Sequence, residues 1–182
     1  MRIVSDANTE YIGAMLDRRN LWSCLGRGLC PDAKDLVSTN HAVVEPSGRL
    51  RVRPYQPSED PHDCPLCPVN MCKGQIVDRL LDQLAATSAA SAGRPRLIYV
   101  GDGSGDFCAC ARMDPTKGDV CLARVDPAKP SRFGLLKRIR RDPATPPLLK
   151  THADAGGVLR TWVDGAGVLR EMRRAFGTPG TP

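Results

Sequence analysis

The sequence predicts an α/β fold, because short apolar strand segments are followed by amphipathic helical segments along the chain. Residues 2–4 form an apolar run that ends at Ser5-Asp6 and leads at once into a helical pattern. Residues 96–100 form a stronger apolar strand that ends in a glycine-rich turn. The chain has 182 residues, 41% of them hydrophobic, which is enough to bury one core.

Two helices are predicted in the first half of the chain. The first follows Asn8 or Thr9, either of which can cap its N-terminus. Its apolar stripe consists of Tyr11, Ile12, Met15 and Leu16. The second is expected from Met71 to about residue 86, with Asn70 as its cap and an apolar face built from Ile, Val and Leu.

Strand and loop signals fill the region between these helices. Residues 36–40 indicate a short strand, and residues 41–55 indicate a hairpin that turns at Pro46-Ser47-Gly48. Residues 54–68 are rich in proline and cysteine and are expected to form a loop.

The second half of the chain continues the alternation. Residues 119–123 indicate a strand, and residues 131–140 and 167–176 indicate helices. Residues 87–93 are small and typical of a linker, and residues 177–182 are expected to be a disordered tail. The sequence thus predicts one domain over residues 1–176, in which residues 41–68 are an insertion.

The positive charge lies mainly towards the C-terminus. Of the net charge of +6, residues 132–174 carry ten basic and four acidic side chains. We interpret this stretch as a solvated Arg-rich face rather than a nucleic-acid patch, because no aromatic interleaving or zinc-finger spacing accompanies it. No apolar run approaches the roughly 20 residues that span a bilayer. No secretory signal is recognisable, so we expect neither a nucleic-acid nor a membrane partner and a cytoplasmic location.

The strongest chemical motif follows the strand at residues 96–100. Gly101-Asp102-Gly103-Ser104-Gly105-Asp106 places two carboxylates four residues apart at the carboxyl end of that strand, where open α/β sheets bind ligands. Carboxylate oxygens suit Mg²⁺, which retains several of its waters. The sequence therefore predicts a magnesium site at Asp102 and Asp106.

Two further residues suggest an anion site. Ser5 lies at the end of the first strand, just before a helix N-terminus whose N–H groups can hold a phosphate. Lys73 lies in the first turn of the second predicted helix, where a positive charge is unfavourable unless an anion lies nearby. The alternatives are a Ser that caps the helix and a Lys that extends to solvent.

The eight cysteines are too unevenly spaced for a small secreted disulfide scaffold, so reduced thiols are expected. Cys64, Cys67 and Cys72, with His62 close by, have the ligand types that bind zinc. The alternative is a set of buried thiols near the active-site loop. Cys108 and Cys110 are further candidates, but nothing in the sequence brings them to the others.

Three segments together resemble the phosphoethanolamine/phosphocholine phosphatase family, particularly its plant-type members, within the haloacid dehalogenase superfamily. The segments are Ser5-Asp6-Ala7-Asn8, Cys64-Pro65-Leu66-Cys67-Pro68-Val69-Asn70-Met71-Cys72-Lys73-Gly74, and Tyr99-Val100-Gly101-Asp102-Gly103-Ser104-Gly105-Asp106-Phe107. The resemblance covers residues 2–139 and extends more weakly to Trp162. It implies a three-layer sandwich with a mostly parallel, Rossmann-like sheet.

The resemblance also implies roles for individual residues. Ser5 resembles the hydroxyl that holds the transferring phosphoryl group, and Lys73 resembles the cation that neutralises phosphate and nucleophile. Asp102 and Asp106 resemble the magnesium carboxylates. The neighbouring residues expected to contact substrate are Asp6, Asn8, Gly103 and Ser104.

One motif of the superfamily is absent from this sequence. The Asp-x-Asp-x-Thr motif supplies the nucleophile and the acid/base, and no Asp-x-Asp occurs here. We therefore expect that the first central strand and the cap domain are missing, that the chain is an N-terminally truncated piece, and that it is inactive and poorly stable by itself.

The expected activity of the whole enzyme is magnesium-dependent hydrolysis of a small phosphomonoester, or of pyrophosphate, through an aspartyl-phosphate. The alternative is a non-catalytic binding protein with a zinc-binding cysteine loop and a basic C-terminal surface. Two interpretations of Asp6 stay open: it accepts the ammonium end of an amine substrate, or it caps the following helix. The sequence does not indicate which substrate is used or the oligomeric state.

Overall fold

A computed structural model of the chain describes residues 1–25, 36–87, 94–143 and 145–176. The chain divides into two compact units, Met1–Ile76 and Val77–Pro182. Each unit contains a three-stranded sheet with helices, and three of the four strand pairings are parallel, which confirms the α/β class. The predicted tail at 177–182 and most of the predicted linker lie outside the described residues.

The first unit is built on the sheet β1-β2-β3. Strand β1 (Ile3–Asn8) is followed by helix α1 (Thr9–Arg18), and strands β2 (Val37–Val44) and β3 (Leu50–Arg53) complete the sheet. Strand β1 pairs with β2 in parallel, and β2 pairs with β3 antiparallel. The prediction of a strand and hairpin in this region is confirmed.

Strand β2 is longer than the sequence indicated. The predicted break at His41 does not exist, because residues 37–40 pair with β1 and residues 41–44 pair with β3. One continuous strand therefore pairs with both β1 and β3, whereas the sequence pattern predicted two separate short strands. The hairpin turns at Gly48, whose φ of +82° is the left-handed conformation that glycine adopts without strain.

Helix α1 is capped by Asn8, whose Oδ1 accepts a hydrogen bond from the Tyr11 N–H at 3.0 Å. Ile12 and Leu16 are buried in a small core with Leu25 and Leu36. The prediction that Tyr11 and Met15 belong to the same apolar face is wrong, because both side chains are exposed.

Helix α2 (Lys73–Thr87) begins two residues later than predicted. Asn70 does not cap it: its Nδ2 donates to Asp6 Oδ1 and Asn40 Oδ1, each at 3.4 Å. Cys72 occupies the position before the helix, and its Sγ accepts a hydrogen bond from the Gln75 N–H at 3.5 Å. The cap is therefore a thiol, which sequence preferences for capping do not favour.

The second unit is built on the parallel sheet β4-β5-β6. Its elements are β4 (Ile98–Gly101), α3 (Phe107–Cys110), β5 (Val120–Arg124), α4 (Gly134–Arg141), α5 (Pro147–Lys150), β6 (Leu159–Trp162) and α6 (Gly165–Phe176). Strand β5 is central and almost wholly buried. The predicted strands at 96–100 and 119–123 and the predicted helices at 131–140 and 167–176 are present with shifted ends.

Strand β6 was not predicted, because a charged residue interrupts its apolar pattern. Arg160 is only 8% exposed, and its guanidinium donates to Glu171 at 2.8 Å and to Asp154 at 2.7 Å. These two carboxylates neutralise the charge, so an arginine can occupy a buried strand. Among the described residues, no helix is long and apolar enough to cross a membrane.

Candidate active site

Ser5 and Asp6 lie within β1, on a backbone that β2 holds in place. The predicted end of the first strand at Ser5-Asp6 is wrong, because the strand continues to Asn8. The ladder between the two strands is irregular after Ser5. There Thr39 Oγ1 donates to the Ser5 carbonyl at 2.8 Å, and Asn40 Nδ2 donates to the carbonyls of Asp6 and Ala7 at 2.8 and 3.0 Å. The sequence analysis missed these two buried side chains, although adjacent polar residues within a predicted strand were a signal.

The Ser5 hydroxyl accepts a hydrogen bond from the Ala7 N–H at 3.2 Å. An accepting hydroxyl retains its own proton as a donor. The helix cap is Asn8 and not Ser5, so the capping alternative for Ser5 is wrong. Asn8 itself is 6% exposed and caps α1, so its expected contact with substrate stays a prediction.

Lys73 is buried and forms an ion pair with Asp6. The lysine is 7% exposed, and its Nζ lies 2.9 Å from Asp6 Oδ2. The alternative of a Lys73 side chain that extends to solvent is therefore wrong. Asp6 does not cap α1 either, because Asn8 does; it is the counter-ion that offsets the unfavourable position of Lys73 at a helix N-terminus.

The second unit presents the Asp102–Asp106 loop at the carboxyl end of β4. Asp102 is exposed, whereas Asp106 is 6% exposed. Asp106 Oδ2 accepts hydrogen bonds from the N–H groups of Asp102 and Gly103 at 2.9 and 3.0 Å, and its Oδ1 accepts one from the Tyr99 hydroxyl at 3.0 Å. The two carboxylates thus differ: Asp102 faces solvent, and Asp106 holds the loop together.

Glycine at position 101 allows this close packing. A Cβ there would lie 2.8 Å from Asp106 Oδ2 and 2.9 Å from Asp106 Cβ, and Cβ atoms in proteins essentially never approach other atoms this closely. Ser104 is exposed, and its carbonyl accepts a hydrogen bond from Arg138 Nη1 at 3.0 Å. Gly103 is half-buried and Ser104 is exposed, and the expected contact of both with substrate stays a prediction.

The Tyr99 phenol is buried beside the Asp106 carboxylate. Its burial and the negative charge of Asp106 raise the pKa of the Tyr99 phenol well above its ordinary value. Tyr99 consequently stays neutral over the physiological range and donates to Asp106. The Asp106 carboxylate therefore has a fixed orientation.

The donor chemistry of this loop fits a hard cation. Exposed Asp102 offers carboxylate oxygens, the ligand type that Mg²⁺ prefers, and an exposed position leaves room for the waters that this ion retains. Asp106 accepts three hydrogen bonds, one of them from the backbone N–H of Asp102. Joint ligation by both residues stays a prediction.

The three predicted zinc ligands of the first unit lie together. The Sγ atoms of Cys64, Cys67 and Cys72 are within 4.8 Å of one another. His62 is not a member of this group, because its Nδ1 accepts from the Cys64 N–H at 3.2 Å and its Nε2 contacts the Pro68 carbonyl at 2.9 Å. The seven cysteines that the structure describes form no disulfide.

Comparison with known proteins gives one family over most of the chain. Residues 1–172 match the family described as Putative Phosphatase. The chain is 36% identical over 114 residues to a thiamine phosphate phosphatase-like protein of Arabidopsis thaliana, a match that covers 62% of the chain and 41% of the relative. It is 37% identical over 109 residues to inorganic pyrophosphatase 2 of the same plant, covering 59% of the chain and 34% of the relative.

A human phosphoethanolamine/phosphocholine phosphatase is also similar. It is 31% identical over 122 residues, and the match covers 67% of the chain and 39% of the relative. The chain therefore spans only 34–41% of the length of these three relatives. No solved structure matches the chain significantly.

The match over residues 1–172 defines the class of this α/β protein, which is that of the phosphatases. The chain belongs to the Putative Phosphatase family, and the relatives that it matches are phosphatases of small phosphorylated compounds and a pyrophosphatase. The resemblance found in the sequence is therefore confirmed.

Proposed function

We propose that the chain provides the phosphate- and magnesium-binding residues of an enzyme that hydrolyses small phosphomonoesters or pyrophosphate. Family membership and the activities for which the relatives are named support the reaction class. The observation that carries the assignment is the burial of Lys73, a lysine 7% exposed at the start of α2 and paired with Asp6 of β1.

The anion site in this proposal consists of residues from the first unit. A buried ammonium group interacts more strongly with a phosphate than one in water, because the local dielectric constant is lower. Ser5 donates its hydroxyl proton to a phosphoryl oxygen, and the Lys73 charge neutralises the phosphate as negative charge develops. The N–H groups at the start of α1 add a favourable dipole.

The metal site in this proposal centres on Asp102. Mg²⁺, when bound, neutralises negative charge on the phosphoryl oxygens. Asp102 provides a ligand oxygen, and Asp106 keeps the backbone of the loop in position through its bonds to Asp102 and Gly103. The nucleophile is an aspartate of an Asp-x-Asp-x-Thr motif, which these 182 residues do not contain.

The decisive measurement uses the longest open reading frame that contains residues 1–182. Phosphate release is measured from phosphoethanolamine, phosphocholine, thiamine monophosphate, pyridoxal phosphate and pyrophosphate, with and without Mg²⁺. Lys73→Met and Asp102→Asn should each lower kcat/KM at least about a hundredfold, because both groups stabilise transition-state charge. Lys150→Met, an exposed lysine in α5, is the control.

Two results would contradict the proposal. One is the absence of turnover of every substrate in that panel by a well-folded protein. The other is turnover that proceeds equally well in the Lys73 and Asp102 variants, because the residues assigned here would then take no part.

A further inference from the structure

The loop before α2 contains a cluster of three thiols that the phosphatase reaction does not use. We call Cys64, Cys67 and Cys72 the thiol cluster; their Sγ atoms lie within 4.8 Å of one another in the first unit. Sulfurs bound to one tetrahedral zinc ion at Zn–S distances of about 2.3 Å are about 3.8 Å apart. The cluster therefore needs to contract by no more than about 1 Å to hold such an ion.

The backbone around the thiol cluster is held by side chains. Gln56 Oε1 accepts from the Cys72 N–H at 2.6 Å, and Gln56 Nε2 donates to Gln75 Oε1 at 2.9 Å. His62 bonds to the backbone at Cys64 and Pro68. These contacts fix the loop at both ends of the cluster, so little conformational entropy is lost when a ligand binds.

The first turn of α2 donates a hydrogen bond to one sulfur of the thiol cluster. Cys72 Sγ accepts a hydrogen bond from the Gln75 N–H, and the N-terminal end of a helix stabilises negative charge. Outer-shell N–H donors of this kind orient metal-bound ligands and tune the metal. Cys72 is also fully buried, which protects a metal–sulfur bond from solvent.

We propose that the thiol cluster binds one zinc ion. Thiolates are soft ligands that select zinc over magnesium, and a Cys-x2-Cys pair with a third cysteine provides three of the four positions of a tetrahedral site. Each thiol releases its proton to solvent when the metal binds. The fourth ligand is a water molecule or another side chain.

The zinc ion would connect the proline-rich loop directly to the first turn of α2. Lys73 follows Cys72 in the sequence, so an ion bound to the Cys72 sulfur restricts the backbone that positions the Lys73 ammonium. This site is chemically separate from the magnesium carboxylates, because its ligands are soft and theirs are hard.

Metal analysis of the purified chain tests this inference. The protein is expressed with added zinc, purified without chelator, and analysed by mass spectrometry for metals. We expect about one zinc ion per chain in the wild type and less than about a tenth in the variant with Cys64→Ser, Cys67→Ser and Cys72→Ser. Cys24→Ser, which removes an exposed cysteine outside the cluster, should keep the wild-type content.

A titration that needs no variant provides an independent test. The wild-type chain is stripped of metal, reduced and titrated with Co²⁺, which should give the thiolate-to-metal charge-transfer absorption of a tetrahedral sulfur site. Added Zn²⁺ should abolish this absorption, and added Mg²⁺ should leave it unchanged.

Several results would overturn the inference: absence of the cobalt absorption, zinc below about a tenth per wild-type chain, or wild-type zinc content in the triple variant. A mass about 2 Da lower under non-reducing conditions, mapped to Cys64–Cys67, would show a disulfide in place of a metal site. The phosphatase assay is independent of all these measurements, so failure of one proposal is distinguishable from failure of the other.

Discussion

Asp106 shows how one buried carboxylate organises the loop at the end of β4. Its two oxygens accept hydrogen bonds from two backbone N–H groups and from a neutral tyrosine. These three donors satisfy the buried carboxylate oxygens, which would otherwise be costly to remove from water. The hydrogen bond from the Asp102 N–H to Asp106 also holds the backbone of the exposed residue Asp102 in place.

Replacement of Gly101 by alanine tests how tightly Asp106 is packed. The new Cβ would lie 2.8 Å from Asp106 Oδ2, so the carboxylate must move away from its N–H donors. We expect Gly101→Ala to lower the free energy of unfolding by about 1–3 kcal/mol in urea denaturation. Gly13→Ala in α1, where nothing lies within 4 Å, should raise it by about 0.5–1 kcal/mol.

Tyr99 is expected to make the free energy of unfolding decrease at alkaline pH. Burial raises the pKa of its phenol in the folded chain, so above its ordinary value of about 10 the unfolded chain loses a proton that the folded chain retains. The contribution of the protonated Tyr99 phenol to the free energy of unfolding is fully present below about pH 10. It is lost as the pH rises above 10, by up to about 1.4 kcal/mol per pH unit.

Urea denaturation at pH 9, 10 and 11 measures this dependence. The wild type should lose more stability over this range than Tyr99→Phe, which has no phenol to ionise. Tyr11→Phe, at a tyrosine that is 62% exposed, should follow the wild type. Equal slopes for all three proteins would show that Tyr99 ionises as freely in the folded chain as in the unfolded one.

Asp6 is expected to distinguish amine substrates from neutral ones. Its carboxylate is 43% exposed and can accept an ammonium group while it also balances Lys73. In the full reading frame, Asp6→Asn should raise KM about tenfold more for phosphoethanolamine than for a neutral phosphomonoester. Asp82→Asn, at an exposed aspartate of α2, is the control and should leave both KM values unchanged. Equal effects of Asp6→Asn on both substrates would limit Asp6 to its role as the partner of Lys73.

At the scale of elements, the first helix depends on a single cap. The Asn8 side chain satisfies the Tyr11 N–H, and Asn8 is also the last residue of β1. Asn8→Ala should lower the free energy of unfolding by about 1 kcal/mol, whereas Asn8→Asp should be nearly neutral because aspartate caps equally well. Thermal unfolding monitored by circular dichroism compares the two; similar losses would show that the capping oxygen is not what matters.

The C-terminal elements show how arginines are accommodated in a folded unit. Arg124 lies over the rings of Phe133 and Trp162 at 4.6 and 4.8 Å, and Arg138 lies over Phe107 at 4.5 Å. Arg138 belongs to the basic stretch of residues 132–174, and so does Arg160, which is 8% exposed, so part of that stretch is packed against other side chains. Charge counting alone assigned the whole stretch to a solvated face.

At the scale of the whole molecule, the 182-residue chain should not hydrolyse phosphomonoesters by itself. It contains the proposed phosphate and magnesium residues but no Asp-x-Asp pair to supply a nucleophile. Phosphate release from the substrate panel by the pure chain should equal that of its Asp102→Asn variant. Turnover by the pure chain that this substitution abolishes would contradict the prediction.

The sequence by itself determined the α/β class, the family, and the positions of Lys73 at the start of a helix and Asp102 at the end of a strand. It placed Ser5 at the end of the first strand, which continues to Asn8. These features depend on local pattern and motif spacing, which are written in consecutive residues. The tertiary structure decided which side chains have partners. The pairing of Asp6 with Lys73, the support from Thr39 and Asn40, and the burial of Arg160 in an unpredicted strand all join residues far apart in the chain, so no local pattern encodes them.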